Sequence, residues 1–185
     1  AISSVGNVFG KSGLFSSSQT QFDVPLVTRL SPYFDKVTQA FGVKVFAEGE
    51  AIPLKFSGNL NVAEYAFTPE YENYRLDVAN DFFIEKHEFP HVFMPKTSAD
   101  SGVITLGKQI DDNHYALTNI QIPDGCALLV PEDIIHTDSS SRGDIIVTLT
   151  DCVKADTVLI HDQSDQPFIM QQDKSERIGL SSWYV

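Results

Sequence analysis

From residue 43 onward the sequence is divided into short runs of apolar and β-branched residues, each bounded by glycine, proline, asparagine or aspartate. Runs of this length and composition indicate β-strands that are joined by turns. The predicted strands cover residues 43–47, 52–56, 60–68, 74–79, 82–87, 91–95, 102–107, 114–122, 126–130, 144–150 and 156–161. No rhythm of alternating strands and helices accompanies them. The pattern therefore predicts a mainly β domain, either a sandwich or a barrel of the jelly-roll kind.

One short helix is predicted before these strands. Ser31 is placed to cap its N-terminus, Pro32 occupies the first helical position, and Gly42 lies just beyond its end. The apolar residues between them share one helix face and are Tyr33, Phe34, Val37, Ala40 and Phe41. That face is expected to cover part of a sheet. Residues 1–21 are rich in glycine and serine, which predicts an N-terminal arm or short edge strands beside a single domain over residues 22–185.

The charge balance excludes some classes of partner. The chain of 185 residues carries 13 basic and 25 acidic residues, for a formal net charge of −12, and its basic residues form no cluster. Binding to nucleic acid or to an anionic membrane is therefore not expected. No signal peptide or membrane-spanning run is visible, and the two cysteines lie in apolar runs, so we expect a cytoplasmic protein without a disulfide framework. Pairing of edge strands predicts a homodimer.

The most distinctive motif lies between residues 125 and 140. Gly125, Pro131, Asp133, His136 and Ser140 follow one another with five, one, two and three residues in between. This spacing resembles the second conserved motif of the cupin family, in which glycine and asparagine stand where this chain has Asp133 and Ser140. The resemblance implies a double-stranded β-helix, also called a jelly-roll barrel, with a tight turn at Pro131. It also implies that His136 points into the barrel mouth as a metal ligand.

The first cupin motif is matched only in its second half. Six residues separate Asp100 from Gly107, as they separate the family's glutamate from its glycine, but the two expected histidine positions hold Met94 and Lys96. His87 and His91 lie nearby, four residues apart, so a strand would place both on one face even though Pro90 lies between them. Glu85 shares a strand face with His87 and is a second acidic candidate. The segment around Asp100 also reads as a plain turn, and each histidine could be an ordinary structural residue.

A narrower resemblance covers the segment KHEFPHVFMPK at residues 86–96, together with Ile135, His136 and the run at 144–151. These stretches resemble the ureidoglycolate lyase branch of the cupin superfamily. The resemblance implies a divalent ion (Zn, Fe, Mn or Ni) held by His87, His91 and His136. It implies a lyase reaction on a small carboxylate-bearing metabolite, with His136, Lys96 and Asp100 as catalytic residues and Lys96 binding the carboxylate. Arg75 is of a type that also binds carboxylates, although a solvated surface charge is the favoured interpretation for it.

Two other functions are compatible with the same residues. One is another metal-dependent cupin enzyme, such as a dioxygenase, an isomerase or an epimerase. The other is a cupin-fold binding or structural module without catalysis, because the paired histidines of the first motif are absent and aspartate replaces its glutamate. Convergence of His87, His91 and His136 on a common point would favour a metal centre over such a module.

Overall fold

The computed structural model describes residues 2–3, 13–17, 21–56, 58–70, 82–111, 114–150, 155–162 and 169–173. The helix α1 covers Phe34–Ala40. In chain order the strands are β1 (Ile2–Ser3), β2 (Gly13–Ser17), β3 (Gln21–Val27), β4 (Lys44–Ala47), β5 (Leu60–Phe67), β6 (Phe82–His87), β7 (His91–Pro95), β8 (Val103–Asp111), β9 (His114–Gln121), β10 (Cys126–Val130), β11 (Ile135–Thr137), β12 (Gly143–Thr150), β13 (Ala155–Asp162) and β14 (Ile169–Asp173).

The strands form two sheets. A nine-stranded sheet has the order β14-β3-β9-β8-β11-β6-β13-β2, with β1 paired to β9 beside this path, and a five-stranded sheet has the order β4-β10-β7-β12-β5. Buried residues of both sheets form one apolar core; Ile104 and Ile120 enter it from the larger sheet, and Phe93 and Ile145 from the smaller one. The sheets therefore pack face to face, as in a β-sandwich. The predicted mainly β class is confirmed.

Most of the predicted strands that fall within the described residues are present, with ends shifted by a few residues at most. The prediction of a strand at residues 52–56 is wrong, because this segment has no regular structure. Pro53 has no N–H to donate to a neighbouring strand. Ile52 and Leu54 instead pack against a small apolar cluster of the five-stranded sheet that contains Val92 and Leu129. The predicted strand at residues 74–79 lies outside the described residues.

The predicted helix is present but begins later than its sequence signals suggest. Residues 31–33 form a turn in which the hydroxyl of Ser31 accepts a hydrogen bond from the Tyr33 N–H, and α1 then begins at Phe34. Gly42 follows the helix with a φ of 74°, in the left-handed region that favours glycine. Phe34, Val37 and Phe41 pack into the core and Tyr33 packs against it, as the shared apolar face predicts, whereas Ala40 is exposed.

No helix in the described part of the chain is long and apolar enough to cross a membrane.

Two neighbouring crossovers between the sheets position the candidate site. Residues 88–90 carry the chain from β6 in the larger sheet to β7 in the smaller one, and residues 131–134 carry it from β10 back to β11. The Asp133 N–H donates a hydrogen bond of 2.8 Å to the carbonyl of His87, which joins the two crossovers. Histidines at the ends of these crossovers are consequently brought together although they belong to different sheets.

Candidate metal centre

Four side chains converge where the crossovers meet. Glu85 and His87 lie on β6, His91 begins β7, and His136 is the central residue of β11. Strand pairing aligns His136 directly with Glu85 across the β6–β11 ladder. Each of the four side chains offers one ligand atom, and these atoms all lie within 4.8 Å of one another. The cluster could hold a metal ion, and it joins the two sheets because His91 comes from the five-stranded one.

Each of the three histidines is oriented by a backbone carbonyl. Nδ1 of His87 lies 2.7 Å from the Phe89 oxygen, Nδ1 of His91 lies 2.6 Å from the Thr148 oxygen, and Nδ1 of His136 lies 2.8 Å from the Ile134 oxygen. A carbonyl oxygen can only accept, so every Nδ1 carries the proton of the neutral ring and donates it. The lone pair of each ring is therefore on Nε2. Histidines that bind metals in proteins are commonly held in this way.

The free ring nitrogens fit an ion better than they fit any protein partner. The Nε2 atoms of His87 and His136 are buried and make no hydrogen bond, which is costly unless a ligand satisfies them. Glu85 Oε1 lies 3.4 Å from Nε2 of His136 and 3.9 Å from Nε2 of His87. Two atoms bound to one ion at about 2.1 Å are separated by no more than about 4.2 Å. Ion binding therefore requires only a small contraction of the cluster.

Burial keeps the imidazoles neutral. It lowers the pKa of His136 to about 3 and that of His91 to about 4, and in both cases a neighbouring histidine acts in the same direction. The pKa of His87 is also lowered, again mainly by burial, although its hydrogen bond to the Phe89 carbonyl opposes the shift. Neutral imidazole is the form that binds a metal. The pKa of Glu85 is raised to about 7 by burial and by the negative charge of Asp138.

A cavity of about 410 Å³ opens beside the cluster. Glu85, His87 and His91 form part of its lining, together with Asp138, which follows β11. Aromatic residues form much of the remaining wall and are Tyr65, Phe67, Phe89 and Phe93. The Phe89 ring stacks on that of His87, with the two ring centroids 3.6 Å apart and the planes inclined by 4°. A small molecule in this cavity would contact the ligand set directly.

Two other predicted site residues are not brought to this cavity. Lys96 is at the surface, where its Nζ lies 2.7 Å from Glu64 Oε1. Asp100 closes a turn, which was the second interpretation of its segment. Its Oδ2 accepts hydrogen bonds from the N–H and the hydroxyl of Thr97, and its Oδ1 accepts one from the Asp144 N–H. The catalytic roles predicted for these two residues remain predictions. Arg75 lies outside the described residues.

The importance of two acidic residues was not predicted from the sequence. Glu85 was only a secondary candidate, although its alternation with His87 on β6 was a usable signal. Asp138 carried no motif signal, and its place in the cavity depends on where β11 ends.

A scan against protein-family models and a search of curated proteins both give no match for this chain.

Proposed function

We propose that this chain is a metal-dependent enzyme of the cupin type, which holds one divalent ion and acts on a small polar molecule in the adjoining cavity. The observation that carries the proposal is the common orientation of three buried imidazoles. His87, His91 and His136 each donate Nδ1–H to a carbonyl, which leaves Nε2 of each ring free to bind an ion, and the ligand atoms of the three rings and of Glu85 lie within 4.8 Å of one another. Three imidazoles and one carboxylate suit Zn, Fe, Mn or Ni.

The geometry of the turn before His136 supports the cupin assignment. Asp133 has a φ of 63°, and it occupies the position at which the cupin motif has glycine. Glycine is favoured in this left-handed region, and aspartate is one of the few other residues that adopt it readily. The strand that precedes the turn and the strand that carries His136 belong to different sheets, which is compatible with a double-stranded β-helix. Lyase activity of the ureidoglycolate type is the narrower function that the resemblance at residues 86–96 implies.

A divalent ion at this site supplies Lewis-acid polarisation of a substrate oxygen. The residues of the chain then have separate roles. Glu85, His87, His91 and His136 would hold the ion. Asp138 lies outside this ligand set but lines the cavity, where it would accept a proton from the substrate. The aromatic walls contact the substrate and orient it. Lys96 has no role in this proposal, because it pairs with Glu64 at the surface.

The direct test is to load the purified protein separately with each divalent ion and to remove the excess. We expect one ion per chain by elemental analysis. Ureidoglycolate, the substrate that the resemblance implies, would be assayed with and without a chelator, and any turnover should be lost on chelation and recovered on reloading. Failure to retain any ion would overturn the proposal. Iron binding accompanied by consumption of oxygen would assign the site to an oxygenase instead of a lyase.

The affinity for the ion should depend on pH through Glu85. Because the pKa of this carboxyl is raised to about 7, it is protonated below that pH in the metal-free protein, and an ion must displace the proton. We expect the association constant to fall by up to about tenfold per pH unit between pH 7 and pH 5. His91 and His136 do not contribute in this range, since each has a pKa of about 4 or lower, and burial also lowers the pKa of His87.

Titration of Mn²⁺ or Zn²⁺ by calorimetry at several pH values measures this dependence. The Glu85→Gln variant should bind more weakly at pH 8 and should show a much flatter profile between pH 7 and pH 5. An unchanged slope in this variant would show that another group releases the proton.

A further inference from the structure

The charges that face the cavity are unusual for a site that would bind an acid. Glu85 and Asp138 are the charged residues of its lining, and none of the lysines or arginines that the structure describes belongs to it. Lys96 is paired with Glu64, and Arg142 donates to the backbone carbonyls of Ser139 and Ser141. A carboxylate-binding site would ordinarily present an arginine or lysine to the ligand.

The charges around the cavity, counted with a divalent ion bound, indicate which class of ligand the cavity accepts. We infer that the cavity selects an uncharged ligand with a planar apolar group, whose neutral oxygen or nitrogen reaches the ion, over an anionic ligand of the same shape. This inference rests on the metal centre of the proposed function. The two carboxylates, when ionised, balance the two positive charges of a divalent ion. An added anion, including a carboxylate such as ureidoglycolate, would then give the site a net negative charge, whereas a neutral donor would not.

The walls account for the apolar part of this ligand. Tyr65, Phe67, Phe89 and Phe93 surround the cavity, and its volume of about 410 Å³ lies in the range of small-molecule sites. Rings of this kind bind planar groups by stacked or edge-to-face contacts. Burial raises the pKa of the Tyr65 hydroxyl, and the negative charges of Asp138 and Glu85 act in the same direction.

Benzamide and benzoate are matched probes, since they have the same planar shape and differ in charge. Each would be titrated into Co²⁺-loaded protein, with the visible spectrum of the cobalt ion and calorimetry as readouts. We expect benzamide to bind at least tenfold more tightly than benzoate. In the Asp138→Asn variant the preference should fall by at least tenfold, because one negative charge is removed. The Asp35→Asn variant, which makes the same charge change at an exposed ion pair with Arg29, should keep the preference.

The possible outcomes separate the two proposals. If no cobalt binds, the metal centre fails and the inference fails with it. If cobalt binds but benzoate binds as tightly as benzamide, or if neither probe binds, the metal centre stands and the inference on ligand class is overturned. Even if the Asp138→Asn variant does not fold, the preference of the unaltered protein for benzamide or benzoate tests the inferred ligand class.

Discussion

Replacing His136 with asparagine is expected to weaken the binding of a divalent ion by more than about 100-fold. Altering a residue that only orients a metal ligand costs up to about 100-fold in affinity, and removal of the ligand itself should cost more. The asparagine amide can still donate to the Ile134 carbonyl, as His136 Nδ1 does, but it has no atom in the place of Nε2. Competition with a chromophoric chelator measures the affinity. His91→Asn should have a similar effect, because His91 is anchored to Thr148 in the same manner.

His114→Asn is the matched control. His114 is exposed and pairs with Asp111 at the surface, so the same substitution there should leave ion affinity unchanged. Circular dichroism would establish that all three variants are folded. Equal affinities for His136→Asn and the unaltered protein would remove His136 from the ligand set.

The largest loss of stability is expected from Phe93→Ala. The Phe93 side chain is 2% exposed, belongs to the main core, and has its ring centroid 5.2 Å from that of His91 and 6.1 Å from that of His136. Truncation of a buried phenylalanine costs about 3–5 kcal/mol, because contacts are lost and a cavity remains. We expect a decrease of that size in the free energy of unfolding, measured with urea in the metal-free protein.

Phe46→Ala makes the same change at a partly buried position, where Phe46 packs against the smaller apolar cluster. It should cost less than about 2 kcal/mol, since less apolar surface is removed from contact. Phe93→Leu should recover most of the stability lost in Phe93→Ala. Equal costs for Phe93→Ala and Phe46→Ala would contradict the assignment of Phe93 to the core beneath the cluster.

Local patterns predicted the elements that carry the site. The run ending at Val130, the turn at Pro131 and the placement of His136 after it are all encoded within a few residues, and the structure has the same order. His87 and His91 were candidates through their spacing and through the local resemblance at residues 86–96. The spacing was expected to place both on one strand face despite Pro90, whereas the chain changes sheets at residues 88–90, so the two rings meet from opposite sheets.

The rest of the site depends on contacts between residues that are distant in the sequence. Glu85 becomes a member of the cluster because β11 pairs with β6, and β11 has three residues, too few for periodicity to reveal a strand. The carbonyl that orients His91 belongs to Thr148, 57 residues away. Asp100 was favoured by a partial motif match, but its short-range hydrogen bonds to Thr97 satisfy it as a turn residue.

The metal-ligand cluster lies where the two crossovers hold the sheets together. The His87 carbonyl and the Asp133 N–H connect the crossovers at the same end of the molecule at which ligands from both sheets meet. A bound ion would therefore act as a cross-link between the two layers of the sandwich. Separation of the layers at this end would then require loss of the ion, so bound metal would slow opening of the sandwich there.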